Sequence, residues 1–219
     1  MARFENVIVN TPKVPKEMFE ASLIDDIVIS NNVKEIERYA FSSSSIRSIK
    51  FSSGVNKIGE HAFWGCKKLV TLEIPGNVKT IERAAFMGCS SLKELKLSNG
   101  IESIGMDAFY GCENLTEITI PGSVNKMAGS CFERCTNLQT AIINENVEGM
   151  GAGTFANCTE LQTVVLPESL TYIGAAMFDG CKKLSAIQIP SNVKNIYSGA
   201  FQECESLTEI TIPASVEYI

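Results

Sequence analysis

The sequence predicts an α/β repeat solenoid: one parallel sheet of short strands on one side of the coils and short helical, 3-10 or extended segments on the other. Three observations predict it. Phenylalanine recurs at Phe41, Phe63, Phe86, Phe109, Phe132, Phe155, Phe178 and Phe201, first at a spacing of 22 and then six times at 23. Phe19 carries the series back by another 22, so nine of the eleven phenylalanines share one column. Several other columns keep the same period, and each period holds one stretch of strict apolar–polar alternation. A single unit of this kind cannot bury its own apolar face, whereas stacked copies can.

In chain order, residues 1–32 read as a degenerate N-terminal capping unit. Phe19, Ile24, Ile27 and Ile29 keep the strand half, and Pro12 and Pro15 disturb the other half. The first residues, Met1 to Asn6, contain no apolar run and no small-residue cleavage site, so no signal peptide is expected. Residues 33–219 read as eight units of 22–23 residues that end at the start of a further unit. In the coil of Phe63, a unit opens with Val55 and Ile58 and continues to Ala62-Phe63. Such spacing suits a short extended piece followed by a helical or 3-10 turn, which periodicity alone does not separate. Cys66 and Leu69 follow, and then Leu72 and Ile74 alternate with Thr71 and Glu73. This period of two predicts a short strand, repeated at Leu95/Leu97, Ile118/Ile120, Val164/Leu166, Ile187/Ile189 and Ile210/Ile212. Pro75, Pro121, Pro167, Pro190 and Pro213 close strands, since proline has no N–H to give. The first full unit lacks the cysteine and carries Ser42 to Ser45 there. The chain ends on Val216 to Ile219, the opening of another repeat.

The unit Val-x-x-Ile-Gly-x-x-Ala-Phe-x-Gly-Cys-x-x-Leu-x-x-Ile-x-Ile-Pro resembles the BspA-like class of leucine-rich repeats. Val55–Pro75, Ile101–Pro121 and Val193–Pro213 follow it most closely. The resemblance implies a leucine-rich-repeat solenoid with strands on the concave face. It also implies a surface or secreted protein that binds host, matrix or envelope proteins, and it carries no catalytic residues. Ser98 and Asn144 in place of Pro, Ala141 in place of a strand aliphatic and Cys131 in place of Ala are departures. Each is expected to weaken its own coil.

The net charge of −6 lacks the basic footprint of a nucleic-acid binder. No run of eighteen apolar residues encodes a membrane-spanning helix, so no membrane insertion is expected. Seven of the eight cysteines stand 23 apart, at Cys66, Cys89, Cys112, Cys135, Cys158, Cys181 and Cys204. They lack the paired spacing of zinc sites. Stacked in equivalent positions they point the same way, so each reads as a small apolar filler of a tight turn. Cys131, four residues before Cys135, leaves a redox pair open. Many unpaired thiols fit a reducing compartment or an anaerobic niche, the former against the surface placement the resemblance implies. His61, the only histidine, stands in a column held elsewhere by Ala84, Asp107, Ser130 and Gly153 and reads as a surface residue of an indifferent column. No cofactor, metal site or catalytic set is expected.

Variable columns carry the candidate partner-binding residues. On the strand face these are Thr71, Glu94 and Glu117, then, two residues on, Glu73, Lys96 and Thr119, with an apolar patch at Ile142 and Val165. The position after the marker phenylalanine supplies Trp64, Met87 and Tyr110 in consecutive coils. These three form either an interface stripe or a cover folded over the coil edge. The expected function is a non-catalytic protein-interaction module of adhesin or scaffold type. The alternative is a rigid spacer carrying another domain, and the open solenoid end offers a route to oligomers.

Overall fold

The computed structural model describes residues 3–219. Met1 and Ala2, the start of the N-terminal stretch read above, lie outside them. The chain winds into stacked coils, most with two extended segments joined by turns. The first segments are two residues long. Lys13–Val14, Glu35–Ile36, Lys57–Ile58, Thr80–Ile81, Ser103–Ile104 and Lys126–Met127 form one six-stranded parallel sheet. Pro12 and Pro15 therefore flank a strand rather than remove it, and Val14 pairs with Ile36.

The second segments are the longer strands. Arg3–Val9, Leu23–Ile29 and Ser48–Lys50 form one parallel sheet, and Thr71–Ile74 with Glu94–Leu97 form another. Glu117–Ile120, Thr140–Ile143 and Thr163–Val165 form a third. The strands expected around Ile187/Ile189 and Ile210/Ile212 are not formed. Proline accounts for most of the pattern. Where the strand-end column holds Ser98 or Asn144, its N–H bonds Ile74 O at 3.0 Å or Ile120 O at 3.1 Å, and the two strands share a sheet. Where it holds Pro75 or Pro121 the sheet breaks from the coil before, because that donor is missing. Pro167 is the exception: it shortens its strand to Thr163–Val165, which still pairs with Thr140–Ile143, whereas Pro190 and Pro213 leave no strand. Ser98 and Asn144, expected to weaken their coils, are the residues that join them.

No helix occurs among the described residues, which corrects the helical or 3-10 expectation for the other side. The physical reason lies in two columns. The residues two before and two after each marker phenylalanine have positive φ in all nine coils, as in His61 (φ 55) and Gly65 (φ 68) around Phe63. A right-handed helix cannot run through a left-handed residue every fourth position. Instead, N–H groups alternate. Ala62, Trp64 and Cys66 close turns onto carbonyls three residues back, and His61, Phe63 and Gly65 donate to Arg83, Ala85 and Met87 of the next coil at 2.7–3.0 Å. Three inter-coil bonds at about 1 kcal/mol net each are of the same order as the left-handed strain of about 1–2 kcal/mol per non-glycine residue.

The core is built on that turn. Phe19 to Phe201 stack as one nine-ring ladder with centroids 5.0–5.9 Å apart and planes within 13°. Such pairs add about 0.5–1.5 kcal/mol each beyond burial. Leucine and isoleucine columns, fully buried at Leu69, Leu92, Leu115, Ile58, Ile81 and Ile104, complete it.

Candidate functional site

All eight cysteines are free and buried. Each of the seven columnar thiols donates to the carbonyl of the phenylalanine one coil earlier, from Cys66 Sγ to Phe41 O at 3.2 Å through Cys204 Sγ to Phe178 O at 3.2 Å. They are hydrogen-bonding fillers, which goes beyond the purely apolar role. The serines of the early coils stand in the same column but bond the phenylalanine of their own coil: Ser44 Oγ donates to Phe41 O at 2.7 Å and Ser22 Oγ to Phe19 O at 2.6 Å. Burial pushes the thiols up, to about 11 at Cys66 and about 12 at Cys135. Little thiolate forms, and the thiolate is the species that oxidises. Cys131 also bonds backbone, donating to Ala128 O at 2.9 Å. Among the described residues no cluster of three or more His, Cys, Asp or Glu could hold a metal ion. No helix among them is long and apolar enough to cross a membrane.

On the sheet side, Thr71, Glu73, Glu94, Lys96, Glu117 and Thr119 come together along one shallow groove of ≈ 610 Å³ over three coils. Its floor exposes parts of Leu95 and Ile49, and it crosses the sheet break before Glu117–Ile120. Lys96 Nζ pairs with Glu73 Oε1 at 2.7 Å. Ile142 and Val165 are register partners on adjacent strands, with Val165 about half exposed, and they do not line that groove.

On the turn side, Trp64 and Met87 line a second groove of ≈ 300 Å³, and Tyr110 does not. Tyr110 instead lies under the Arg134 guanidinium, 5.8 Å from its ring centre. The stripe of three is thus a pair and a single. Trp64 is 41% exposed, so it is not folded away as a cover. The groove also takes in Tyr39, His61, Arg83, Ala84 and Asp107, which the repeat pattern does not single out. His61 stacks on Tyr39 at 4.8 Å and meets Trp64 edge-on at 6.5 Å. Its side chain is 19% exposed, and burial is the main cause that lowers its pKa. Its column is not indifferent, since every residue in it is left-handed. Part of the signal is present in the sequence: Asp107, Ser130, Gly153 and Gly199 at one fixed offset are residue types that suit positive-φ positions.

Comparison with known families adds to this geometry. The model of the BspA type leucine rich repeat region matches residues 12–139 and 125–219, in six copies. The chain belongs to the BspA-type leucine-rich repeat family. Solenoids of this kind are typically non-enzymatic and commonly bind proteins. Similar solved structures include a leucine-rich repeat protein of T. pallidum, 29% identical, covering 73% of this chain and 77% of that one with a TM-score of 0.67. A Bacteroides ovatus leucine-rich repeat protein is 21% identical, covering 98% of this chain and 74% of that one with a TM-score of 0.61. The pneumococcal vaccine antigen PcpA is 20% identical, covering 89% of this chain and 68% of that one with a TM-score of 0.57. The last two share the fold. Among curated proteins none matches significantly.

Proposed function

We propose that this BspA-type solenoid is a non-catalytic protein-interaction module, acting at a cell surface or in secreted form as an adhesin or scaffold. One observation carries it: the groove in which side chains from three successive coils converge on the strand face. Thr71, Glu73, Glu94, Lys96, Glu117 and Thr119 would each contribute a modest contact, and the Ile142/Val165 patch would extend the surface by two coils. Affinity then comes from summed contacts across a standard-sized interface rather than from one pocket. Trp64, Met87 and Tyr110 supply a further candidate surface on the turn side. The buried thiols are compatible with an oxidising exterior, since burial suppresses the thiolate.

The test compares capture of proteins from envelope extracts and matrix preparations by the wild type and by Glu94→Lys/Glu117→Lys. Circular dichroism verifies the fold of both. Partner capture that disappears in the double variant is the expected result. Equal capture by both, or none above background by the wild type, removes the proposal.

A further inference from the structure

The loop that leads from the phenylalanine turn to the strand recurs in every coil, and two coils carry a pair of lysines in it. Lys182 and Lys183 stand four and five residues after Phe178, and Lys67 and Lys68 stand four and five after Phe63. The later pair is neutralised from both sides. Lys182 Nζ meets Glu205 Oε1 of the next coil at 2.7 Å, and Lys183 Nζ meets Glu160 Oε2 of the coil before at 2.5 Å. The earlier pair lacks such neighbours. Ser90 and Ser91 hold the two columns in the next coil, and Ser45 stands in the loop of the coil before. None of the ion pairs among the described residues uses Lys67, Lys68 or Lys93.

Further cations gather on the same edge. Leu69 is fully buried, so Lys68 and Val70 on either side of it face outward. Val70 N–H bonds Arg47 O at 3.5 Å, and Lys93 N–H bonds Val70 O at 2.8 Å, which sets Arg47 and Lys93 in the coils on either side of Val70. Arg47 shares Asp25 with Arg3, at 3.4 Å against 2.6 Å. Glu94, next to Lys93, belongs to the strand-face groove, and the first acid along the lysine columns is Glu113, two coils on from Lys67. Four cations in three successive coils thus surround Val70, on a chain whose net charge is −6.

These side chains stand on the outside of the stack and line neither of the grooves described above. They match anionic groups repeated along a chain rather than one anion in a pocket. Parallel coils stack at about 4.8 Å, so Arg47 and Lys93 lie about 10 Å apart at the backbone, the length of one extended disaccharide. A linear polysaccharide with an anionic group on each disaccharide, laid along the stack, meets a cation at each such step, with Lys67 and Lys68 between. Lys67, Lys68 and Lys93 have no carboxylate to give up on binding it, whereas Lys182 and Lys183 would first have to leave Glu205 and Glu160.

We propose that the Lys67–Lys68 edge, with Arg47 and Lys93, binds a linear anionic polysaccharide lying parallel to the solenoid axis. This goes beyond the protein-contact reading: it uses another side of the coil and another ligand class.

Surface plasmon resonance on immobilised heparin, chondroitin sulfate, hyaluronate and polygalacturonate tests it, with dextran as the neutral counterpart. In about 50 mM NaCl at least one anionic chain is expected to bind with a Kd between about 1 and 100 μM, and dextran is expected not to bind. Affinity should fall at least about tenfold by about 500 mM NaCl, as salt screens the contacts. Lys67→Gln/Lys68→Gln should weaken binding at least about tenfold and reduce the slope of log K against log salt by about two. Lys182→Gln/Lys183→Gln removes the same charge from the same columns and should leave affinity unchanged. Glu94→Lys/Glu117→Lys, which abolishes protein capture in the reading above, should bind the polysaccharide at least as tightly as the wild type. Circular dichroism verifies the fold of each variant. Binding confined to heparin and chondroitin sulfate supports a sulfated ligand, and binding of hyaluronate or polygalacturonate supports a carboxylated one. No binding of any anionic chain, or equal affinities in the two lysine variants, overturns the proposal. So does binding of polythymidylate or polyglutamate as tight as that of the best polysaccharide, because the edge then takes nucleic acid or acidic polypeptide.

Discussion

The turn side and the sheet side of this solenoid are built from the same repeat, yet one is continuous and the other is interrupted. Phe19 to Phe201 stack without a gap, and the backbone between them passes three N–H groups to each next coil. The longer strands instead fall into separate sheets and fade after Thr163–Val165. The difference lies in where donors are supplied. On the turn side the alternating backbone provides them whatever the side chains are. On the sheet side a proline at the strand end withdraws one, and five coils carry it at Pro75, Pro121, Pro167, Pro190 and Pro213. Stability therefore resides in the turn side, and the sheet side is free to vary its surface.

The largest expected effect is on the ladder. Phe109→Ala should cost about 3–5 kcal/mol in urea unfolding, against about 1–2 kcal/mol for the half-buried Leu95→Ala on the sheet side. Equal losses would end the asymmetry. Next come the thiols. Cys66→Ala should cost about 1–2 kcal/mol, and Cys66→Ser less, because a serine in this column can bond the phenylalanine carbonyl of its own coil, as Ser44 does with Phe41. A serine variant weaker than the alanine one would show that the thiol acts by volume alone. On the sheet, Ser98→Pro should cost about 1 kcal/mol and separate Thr71–Ile74 from Glu94–Leu97, visible as faster amide exchange there and unchanged exchange around Phe86 and Phe109. The smallest effect is a pH dependence on the turn side. Burial lowers the His61 pKa from its ordinary 6.5, so the unfolded chain binds the proton more readily. His61 thus contributes stability above about pH 6.5 that is lost as pH falls through its folded value. His61→Gln should flatten the profile in that window, and an unchanged profile would place the titration elsewhere.

Much of the fold is legible from the phenylalanine column, because a period of 22–23 leaves stacking as the only way to bury one ring per unit. The turn side is not, since apolar offsets of 0, 3 and 7–8 suit a helix as well as a chain of left-handed turns. What separates them is the residue type at Asp107, Gly153 and Gly199 and at Gly65, Gly88 and Gly111, a backbone signal rather than a hydropathy one. The role of Ser98 and Asn144 is hidden for a related reason. Against the repeat they are exceptions, while in the hydrogen-bond ladder they are the donors. Of the candidate residues, the six along the sheet groove follow from register alone, because alternation fixes which face each occupies. The Trp64 groove depends on a size step between Ala84 and its neighbours in adjacent coils, visible only once the coils are stacked.

Proline placement as the cause of the sheet breaks is most directly tested at Pro121, between Glu94–Leu97 and Glu117–Ile120. Pro121→Asn supplies the donor that Asn144 supplies one coil later. Amide exchange should show the N–H introduced at this position protected by at least about tenfold over an exposed amide. Protection should rise through Glu117–Ile120, with the Phe109 amide unchanged. If the introduced amide instead exchanges as freely as a loop amide while the protein stays folded, the account is contradicted.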